Sequence, residues 1–375
     1  MAPPKRERAE NGAPLSGRRR LPLVLGFLAA AAVRGAWLSA FGDNWDMGTY
    51  RQFAEFAPRG GGLYRDVPYH YSPVWAFLVF GLSRVVSPVG IPFEKAVGGL
   101  LLLTDAATAY VLFRIARDRL GRPPDRAAGA ALLFFSNPVS VFVTGFHLQW
   151  DNLAILFLVA AVWLAGSEPR RRVGTALALA ASLLVKHMTF FHPLLFARRS
   201  GRRRPLLELL LPYGIFFASL LPYWSSRAAV FEGVFRYRSL SEDYGTAMLR
   251  KLPGVPEWAP MALFGAAALA SVLAFRRMEI GRACLLLSLV ILIFVPGVVE
   301  YYFVWPIALG SLFGGAGYAL FTLLVSAFYL GSPDGLGLPI PHLPGWHGVW
   351  WGAVFWLLWE FRKSAGPKSR VGDSP

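Results

Sequence analysis

Long apolar segments, separated by short polar ones, recur along almost the whole chain. They cover residues 21–41, 94–113, 127–146, 152–166, 173–196, 206–225, 258–275, 283–299, 302–314, 317–330 and 346–361. A bilayer core about 30 Å thick requires roughly 20 apolar residues in a helix that rises about 1.5 Å per residue. The pattern therefore predicts an all-α polytopic membrane protein with about eleven transmembrane helices.

The composition agrees with this class. Only 16% of the 375 residues are charged, and 55% are hydrophobic. Soluble globular proteins carry about 25% charged residues and fewer apolar ones, so a soluble enzyme and a disordered chain are both disfavoured. The single cysteine, Cys284, lies inside an apolar segment, which excludes a disulfide-stabilised scaffold.

The net charge of +16 has an uneven distribution. Of the 38 lysines and arginines, 26 lie in six clusters, at residues 5–20, 114–126, 170–172, 198–204, 276–282 and 362–370. Because such clusters mark cytosolic loops, the charge reports topology and does not indicate nucleic-acid binding. We predict a disordered basic cytosolic tail over residues 1–20, a single transmembrane domain over 21–361 and a cytosolic tail over 362–375.

Three loops are predicted on the outer side, at about residues 42–72, 226–257 and 331–345. The first has a net charge of −1, opposite in sign to the basic clusters. Within it, Met47, Tyr50 and Phe53 recur at helical spacing, which predicts an amphipathic helix on the outer membrane interface.

Two segments do not fit simple crossings. Residues 73–88 are apolar, but a crossing there would place the cluster at 114–126 outside; we expect the segment to break near Ser87-Pro88 without crossing fully. The alternative is that the charge rule fails locally. Residues 173–196 begin and end beside basic clusters, with Lys186 and His187 in the middle, which predicts two half-length helices that meet at membrane depth and form a re-entrant segment.

Polar residues that are costly to expose to lipid fall at the predicted outer ends of separate segments, which suggests one outer-facing cavity. They are Arg34, Asp43, Asp46, His147, Gln149, Asp151, Arg236, Arg238, Glu300, Tyr301 and Tyr302, with Lys186 and His187 approaching from below. Structural roles compete with this interpretation. Asp46 and Asp151 are suitable helix N-caps, and Arg34 can extend to the interface or pair with Asp46 or a lipid phosphate.

The first outer loop resembles that of the type-C (GT-C) glycosyltransferases, multi-pass enzymes that use polyprenyl-phosphate sugars. The shared pattern is an aspartate, aromatic residues at fixed intervals, a glycine turn and a Tyr-x-Tyr-Ser-Pro element. Here it consists of Asp46, Tyr50, Ala54, 60–62, Leu63-Tyr64 and Tyr69-His70-Tyr71-Ser72-Pro73. Within that family, the pattern resembles the mannosyltransferase branch, which includes GPI mannosyltransferase I and bacterial polyprenol-phosphate-mannose transferases.

Further elements resemble the same family in the same order, up to about residue 200. Asn137-Pro138 matches an "NP" element, and Lys186 with Pro193 matches a lysine–proline element. Gln149 and Asp151 match a "GQxD" turn, except that Leu148 replaces the glycine. The resemblance implies a catalytic domain that moves a hexose, most simply mannose, to a glycolipid, glycan or protein acceptor on the extracytosolic side.

The chemistry of such a donor requires few groups. Its leaving group is a phosphate, so one carboxylate suffices to accept the proton of the attacking acceptor hydroxyl, with inversion at the anomeric carbon. We predict Asp46 as this base, with Asp43 as a helper or the alternative base. Cations would hold the phosphate, and the candidates are Arg34, Lys186, Arg236 and Arg238.

The remaining binding candidates are less defined. Gln149, Asp151 and His187 are candidates for sugar or acceptor binding, and the tyrosines at 50, 64, 69, 71, 301 and 302 are candidates to stack on a sugar. A divalent metal at Asp43 and Asp46 stays open, and no other cofactor is expected. A multi-pass location in a bacterial plasma membrane is favoured over the endoplasmic reticulum. The alternatives are a transporter or lipid flippase and a non-catalytic partner subunit.

Overall fold

The computed structural model describes residues 17–41, 45–59, 62–67, 69–166, 168–199, 206–236, 244–332, 335–338 and 345–365. Within these ranges the chain is helical and contains no strand. Asp43, Arg238, most of the predicted basic tail over 1–20, and residues 366–375 of the second tail lie outside the described residues.

The described chain contains fifteen α-helices of seven or more residues. They are α1 Gly17–Ala40, α2 Trp45–Phe56, α3 Val74–Val86, α4 Phe93–Arg114, α5 Pro124–Phe135, α6 Pro138–Gly145, α7 Asp151–Leu164, α8 Pro169–Val185, α9 His192–Arg199, α10 Leu206–Leu220, α11 Ala259–Phe275, α12 Ile280–Phe294, α13 Ile307–Phe313, α14 Ala316–Gly331 and α15 Trp346–Ala365. Shorter helical turns lie at Ala57–Arg59, Gly62–Arg65, Ser87–Val89, Ile115–Arg119, His187–Thr189, Leu221–Ser226, Arg227–Val230, Phe231–Phe235, Gly245–Lys251 and Glu300–Val304.

Within the described residues, three helices are long and apolar enough to cross a bilayer. They are α1 from Leu21, α4 with its extension to Arg119, and α10 with its extension to Phe235. The bent pair α5–α6 adds a fourth, and several apolar helices of 10–17 residues accompany them. The chain is thus a helical protein with membrane-spanning character.

The helices divide into a lipid-facing periphery and a buried centre. On α1, Leu21, Leu25 and Leu28 are all more than half exposed, as expected of a helix surface that contacts lipid. In contrast, α12 is buried on nearly every side, where it packs between α11 and α15. An apolar helix buried all round marks the interior of a bundle.

The chain bends where a single crossing was predicted over residues 127–146. Pro138 has no backbone N–H, and Asn137 adopts an extended conformation and caps α6 by accepting from the Val139 N–H. As a result, α5 and α6 meet at 47°. The apolar segment predicted as one crossing therefore consists of two helices joined by a bend.

The predicted break in residues 173–196 lies at Lys186, which is extended between α8 and the following turn. The two arms are not both half-length, since α8 begins at Pro169 and runs for 17 residues whereas α9 has 8. The predicted outer loop over 226–257 also begins too early, because the helical path that starts in α10 continues to Phe235.

Residues 42–92 connect the end of α1 to the start of α4. The Lys95 ammonium at the start of α4 donates to the carbonyls of Leu38, Ser39 and Phe41 at the end of α1, at 2.6, 3.1 and 3.1 Å. The chain therefore leaves α1 and enters α4 at the same end. Between them, α2 and α3 pack against each other.

The other end of the bundle is basic. Arg119 donates to carbonyls at the end of α7, Arg172 pairs with Glu208 at 2.7 Å, and Arg282 lies 3.8 Å from Glu360. We call this the basic end. The opposite end is the one where α1 ends beside the start of α4.

Candidate functional site

Five chain segments bring polar side chains together toward the opposite end. They are the first turn of α2, the loop residues Tyr69–Ser72, the α6–α7 turn with the start of α7, the break at Lys186, and the Glu300–Val304 turn with Trp305. Each side chain lies where a helix begins or ends. The backbone groups at these positions have no hydrogen-bond partner within the helix, so the chain can change direction there without loss of helical hydrogen bonds.

The centre of the site is a fully buried ion pair. The Lys186 ammonium lies 2.6 Å from the Asp151 carboxylate, and Trp305 Nε1 donates to the other carboxylate oxygen at 2.7 Å. The ammonium also lies 4.6 Å from the ring centres of both Tyr301 and Tyr302. A buried charge needs a counter-charge and further partners, and this arrangement supplies both.

Tyr71 and Trp150 extend this aromatic enclosure. Their ring centres lie 5.4 and 5.7 Å from the Lys186 ammonium, and the two rings meet edge to face at 5.0 Å. His187 lies next to Tyr71, with ring centres 5.9 Å apart. The ion pair is therefore enclosed mainly by aromatic rings.

Asp46 is the second carboxylate of the site and is only half buried. Gln149 Nε2 donates to Asp46 Oδ2 at 2.7 Å, which fixes the carboxylate at the start of α2. Burial raises the pKa of Asp46 to about 6, against the opposing effects of the Gln149 hydrogen bond and the Lys186 charge. A carboxyl group with this pKa is largely ionised at neutral pH and basic enough to accept a proton.

The turn that carries Gln149 is strained at Leu148. This residue has a φ of 52°, in the left-handed region that favours glycine, and it is the one non-glycine residue with positive φ in the described chain. Its carbonyl accepts from the Tyr50 hydroxyl at 3.2 Å.

An apolar cavity of about 340 Å³ adjoins the site. His187 and Tyr302 line it, and its remaining lining is mostly aromatic and aliphatic, including Phe190, Phe191, Phe216, Val234 and Phe264. Two buried polar atoms of the site, Trp150 Nε1 and His187 Nδ1, have no hydrogen-bond partner within the described residues. These two atoms are therefore available to form hydrogen bonds with a ligand.

Arg34 belongs to a different network, and its predicted contact with Asp46 or with the interface is wrong. The side chain is 2% exposed and pairs with Asp105 of α4. It also donates to the Phe135 carbonyl at 2.8 Å and to hydroxyls of Thr144 and Ser140. With these contacts Arg34 is a packing element between α1, α4, α5 and α6.

Three tyrosines predicted to bind substrate have structural contacts instead. Tyr50, Tyr64 and Tyr69 are buried, and their hydroxyls donate to the carbonyls of Leu148, Tyr71 and Ser72 respectively. Because they are buried and their hydroxyls are hydrogen-bonded, these side chains form the core of the loop and support the residues of the site.

Arg236 is not part of the site in this structure. It is exposed at the end of the α10 path, and it pairs with Glu232 at 2.9 Å. Asp43 and Arg238 lie outside the described residues, so their predicted roles stay predictions. Within the described residues, no three histidine, cysteine or acidic side chains are grouped as a metal site would require.

The sequence did not single out three residues that the structure makes important. Asp105 pairs with Arg34, while Trp150 and Trp305 contact Lys186 and Asp151. Asp105 could have been found as an ionisable residue inside an apolar segment, which is rare without a partner. The two tryptophans have no such signal, since interfacial tryptophans are common in membrane proteins.

Comparison of the chain with protein-family models, with curated proteins and with solved structures finds no match.

Proposed function

We propose that the chain is an integral membrane glycosyltransferase of the type-C class that moves a hexose, most simply mannose, from a polyprenyl-phosphate sugar to an acceptor hydroxyl. The observation that carries this proposal is Asp46: a half-buried carboxylate, held by Gln149 beside the buried Lys186–Asp151 pair, with a pKa raised to about 6. These are the properties of a positioned general base.

In the proposed reaction, Asp46 accepts the proton of the acceptor hydroxyl as that oxygen forms a bond to the anomeric carbon. The bond between this carbon and the phosphate oxygen breaks, and its electron pair leaves with the phosphate. The configuration at the carbon inverts because attack and departure occur on opposite faces. No acid is needed for a phosphate leaving group, in contrast to the alkoxide of glycoside hydrolysis.

Three of the four cations considered for the phosphate are paired within the described residues: Arg34 with Asp105, Lys186 with Asp151 and Arg236 with Glu232. The fourth, Arg238, lies outside the described residues. We therefore assign the phosphate to the unused donor of Trp150 and to His187, with the charge of Lys186 behind them. Lys186 then acts as a positioning residue and not as a direct ligand.

The apolar cavity supports a lipid-linked donor. Its aromatic and aliphatic lining begins at His187 and Tyr302, directly beside the polar centre. A polyprenyl chain seated there would place its phosphate at the junction between apolar and polar surfaces. A soluble sugar nucleotide would gain nothing from this lining.

We further propose that the basic end faces the cytosol, which places the site on the extracytosolic side of about eleven spans. In the transporter alternative, the two cations that would mark a pathway are Arg34 and Lys186, and each is buried and paired with a carboxylate.

The proposed base predicts a pH profile. Asp46 must be ionised to act, and its pKa is raised to about 6, so transfer should be constant above about pH 7 and fall tenfold per pH unit well below pH 6. Initial rates measured between pH 4.5 and 8.5, with protein stability checked at each pH, provide the test. A profile flat to pH 4.5 would contradict the assignment of Asp46.

The direct test of the proposed function is product formation by the purified full chain in detergent. Incubation with polyprenyl-phosphate mannose, or with the glucose analogue, and a panel of glycolipid and peptide acceptors should yield an acceptor heavier by one hexose in mass spectra. Liposome flux of the donor without any such product would instead identify a flippase.

A further inference from the structure

A second cavity lies on the outer helical hairpin, apart from Asp46. It has a volume of about 940 Å³ and is bounded by the second half of α2, by α3 and by the start of α4. Three arginines line it: Arg51, Arg59 and Arg84. None of the side chains around the Lys186–Asp151 pair belongs to this lining.

The lining carries surplus positive charge. Arg51 pairs with Glu94 at 3.0 Å, and Arg59 pairs with Glu55 at 2.7 Å. Arg84 has no carboxylate within ion-pair distance among the described residues, and its guanidinium lies 5.3 Å from the ring centre of Phe80. An arginine of this kind is suited to a phosphate, whose oxygens match its planar donors.

The surface next to Arg84 is strongly apolar. Val85 and Val89 are 70% and 66% exposed, and Ile91, which lines the cavity, is 48% exposed. Exposed aliphatic side chains are unfavourable in water but suit the upper acyl region of a bilayer. Because α4 is a candidate span and begins at Phe93 in the cavity wall, this position corresponds to the interface of one leaflet.

The cavity therefore has an apolar surface next to a cationic one, which complements the acyl chain and the anionic headgroup of a lipid. We infer that it binds the headgroup of an anionic membrane phospholipid, with the phosphate at Arg84 and an acyl chain along Val85, Val89 and Ile91. The bound lipid would hold the α2–α3 hairpin against the bilayer. This inference does not depend on the proposed sugar transfer.

Native mass spectrometry of the full chain, released from detergent micelles, tests the inference with phosphatidylglycerol and phosphatidylcholine as probes. The wild-type protein should retain phosphatidylglycerol in preference to phosphatidylcholine. Arg84→Gln should weaken phosphatidylglycerol retention about tenfold, the usual effect of losing a hydrogen bond to a charged group. The matched control is Arg65→Gln, since Arg65 is exposed in the segment between α2 and α3 and pairs with Asp66 outside the cavity.

The remaining outcomes overturn the inference in distinguishable ways. Equal retention of the two lipids would exclude recognition of the anionic headgroup. Unchanged retention in Arg84→Gln would exclude this cavity as the site. Full displacement of phosphatidylglycerol by millimolar glycerol phosphate would show that the ligand is a soluble phosphate compound and not a lipid.

Discussion

Asp46→Asn should reduce sugar transfer by at least 100-fold, within the range of about 10²–10⁴ that a general base contributes. Asparagine preserves the shape of the side chain and an oxygen that can accept from Gln149, but it cannot take up the hydroxyl proton. The measurement is the initial rate of hexose transfer by the purified protein at saturating donor, with the product identified by mass.

Glu55→Gln is the matched control for this variant. Glu55 lies on the same helix α2, is exposed and pairs with Arg59, and has no contact with the site. Its rate should stay within twofold of the wild type. An Asp46→Asn protein that retains transfer within tenfold of the wild type would reject Asp46 as the base, whatever the activity of the control.

Lys186→Met should destabilise the folded protein by about 3–5 kcal/mol, the usual cost of leaving one partner of a buried ion pair without its counter-charge. Methionine fills most of the same volume, so the effect reports mainly the uncompensated Asp151 carboxylate. Thermal unfolding in detergent, followed by tryptophan fluorescence, provides the measurement. In the surviving folded fraction, loss of the Lys186 charge should also move the pH midpoint of transfer upward, since that charge lowers the pKa of Asp46.

A double-mutant cycle separates pairing from packing. Lys186→Met combined with Asp151→Leu removes both charges and should recover part of the stability lost in the single variant. The comparison pair is Arg114 and Asp118, which are about one-third exposed and 2.7 Å apart; its disruption should cost less than about 1 kcal/mol. If the effects at Lys186 and Asp151 are simply additive, the pair has no coupling and this interpretation fails.

For residues at the ends of apolar segments, the sequence could predict that they lie close together. Asp46, Gln149 and Asp151 have this property, because polar residues at segment ends on the same side share one narrow layer, whereas Lys186 lies at the predicted break inside residues 173–196. The break at Lys186 was equally accessible, since the length of residues 173–196 does not allow two full crossings.

The sequence could not predict how helices are rotated about their axes. The partner of Arg34 is Asp105, 71 residues away, and this pairing depends on which faces of α1 and α4 meet. The predicted substrate contacts of Tyr50, Tyr64 and Tyr69 were wrong for a similar reason, because a periodic pattern does not reveal which aromatic rings are buried. The bend at Asn137-Pro138 was concealed by an apolar segment of suitable total length.

The pairing of Arg34 with Asp105 has a consequence for biogenesis. The arginine is synthesised 71 residues before the aspartate, so α1 must enter the bilayer while its cation has no counter-ion. An unpaired arginine near the bilayer centre costs about 2.5–3.5 kcal/mol, which local water and snorkelling reduce. Once α4 has been synthesised, Asp105 can neutralise this charge, and the ion pair then attaches the middle of the largely lipid-facing helix α1 to the bundle.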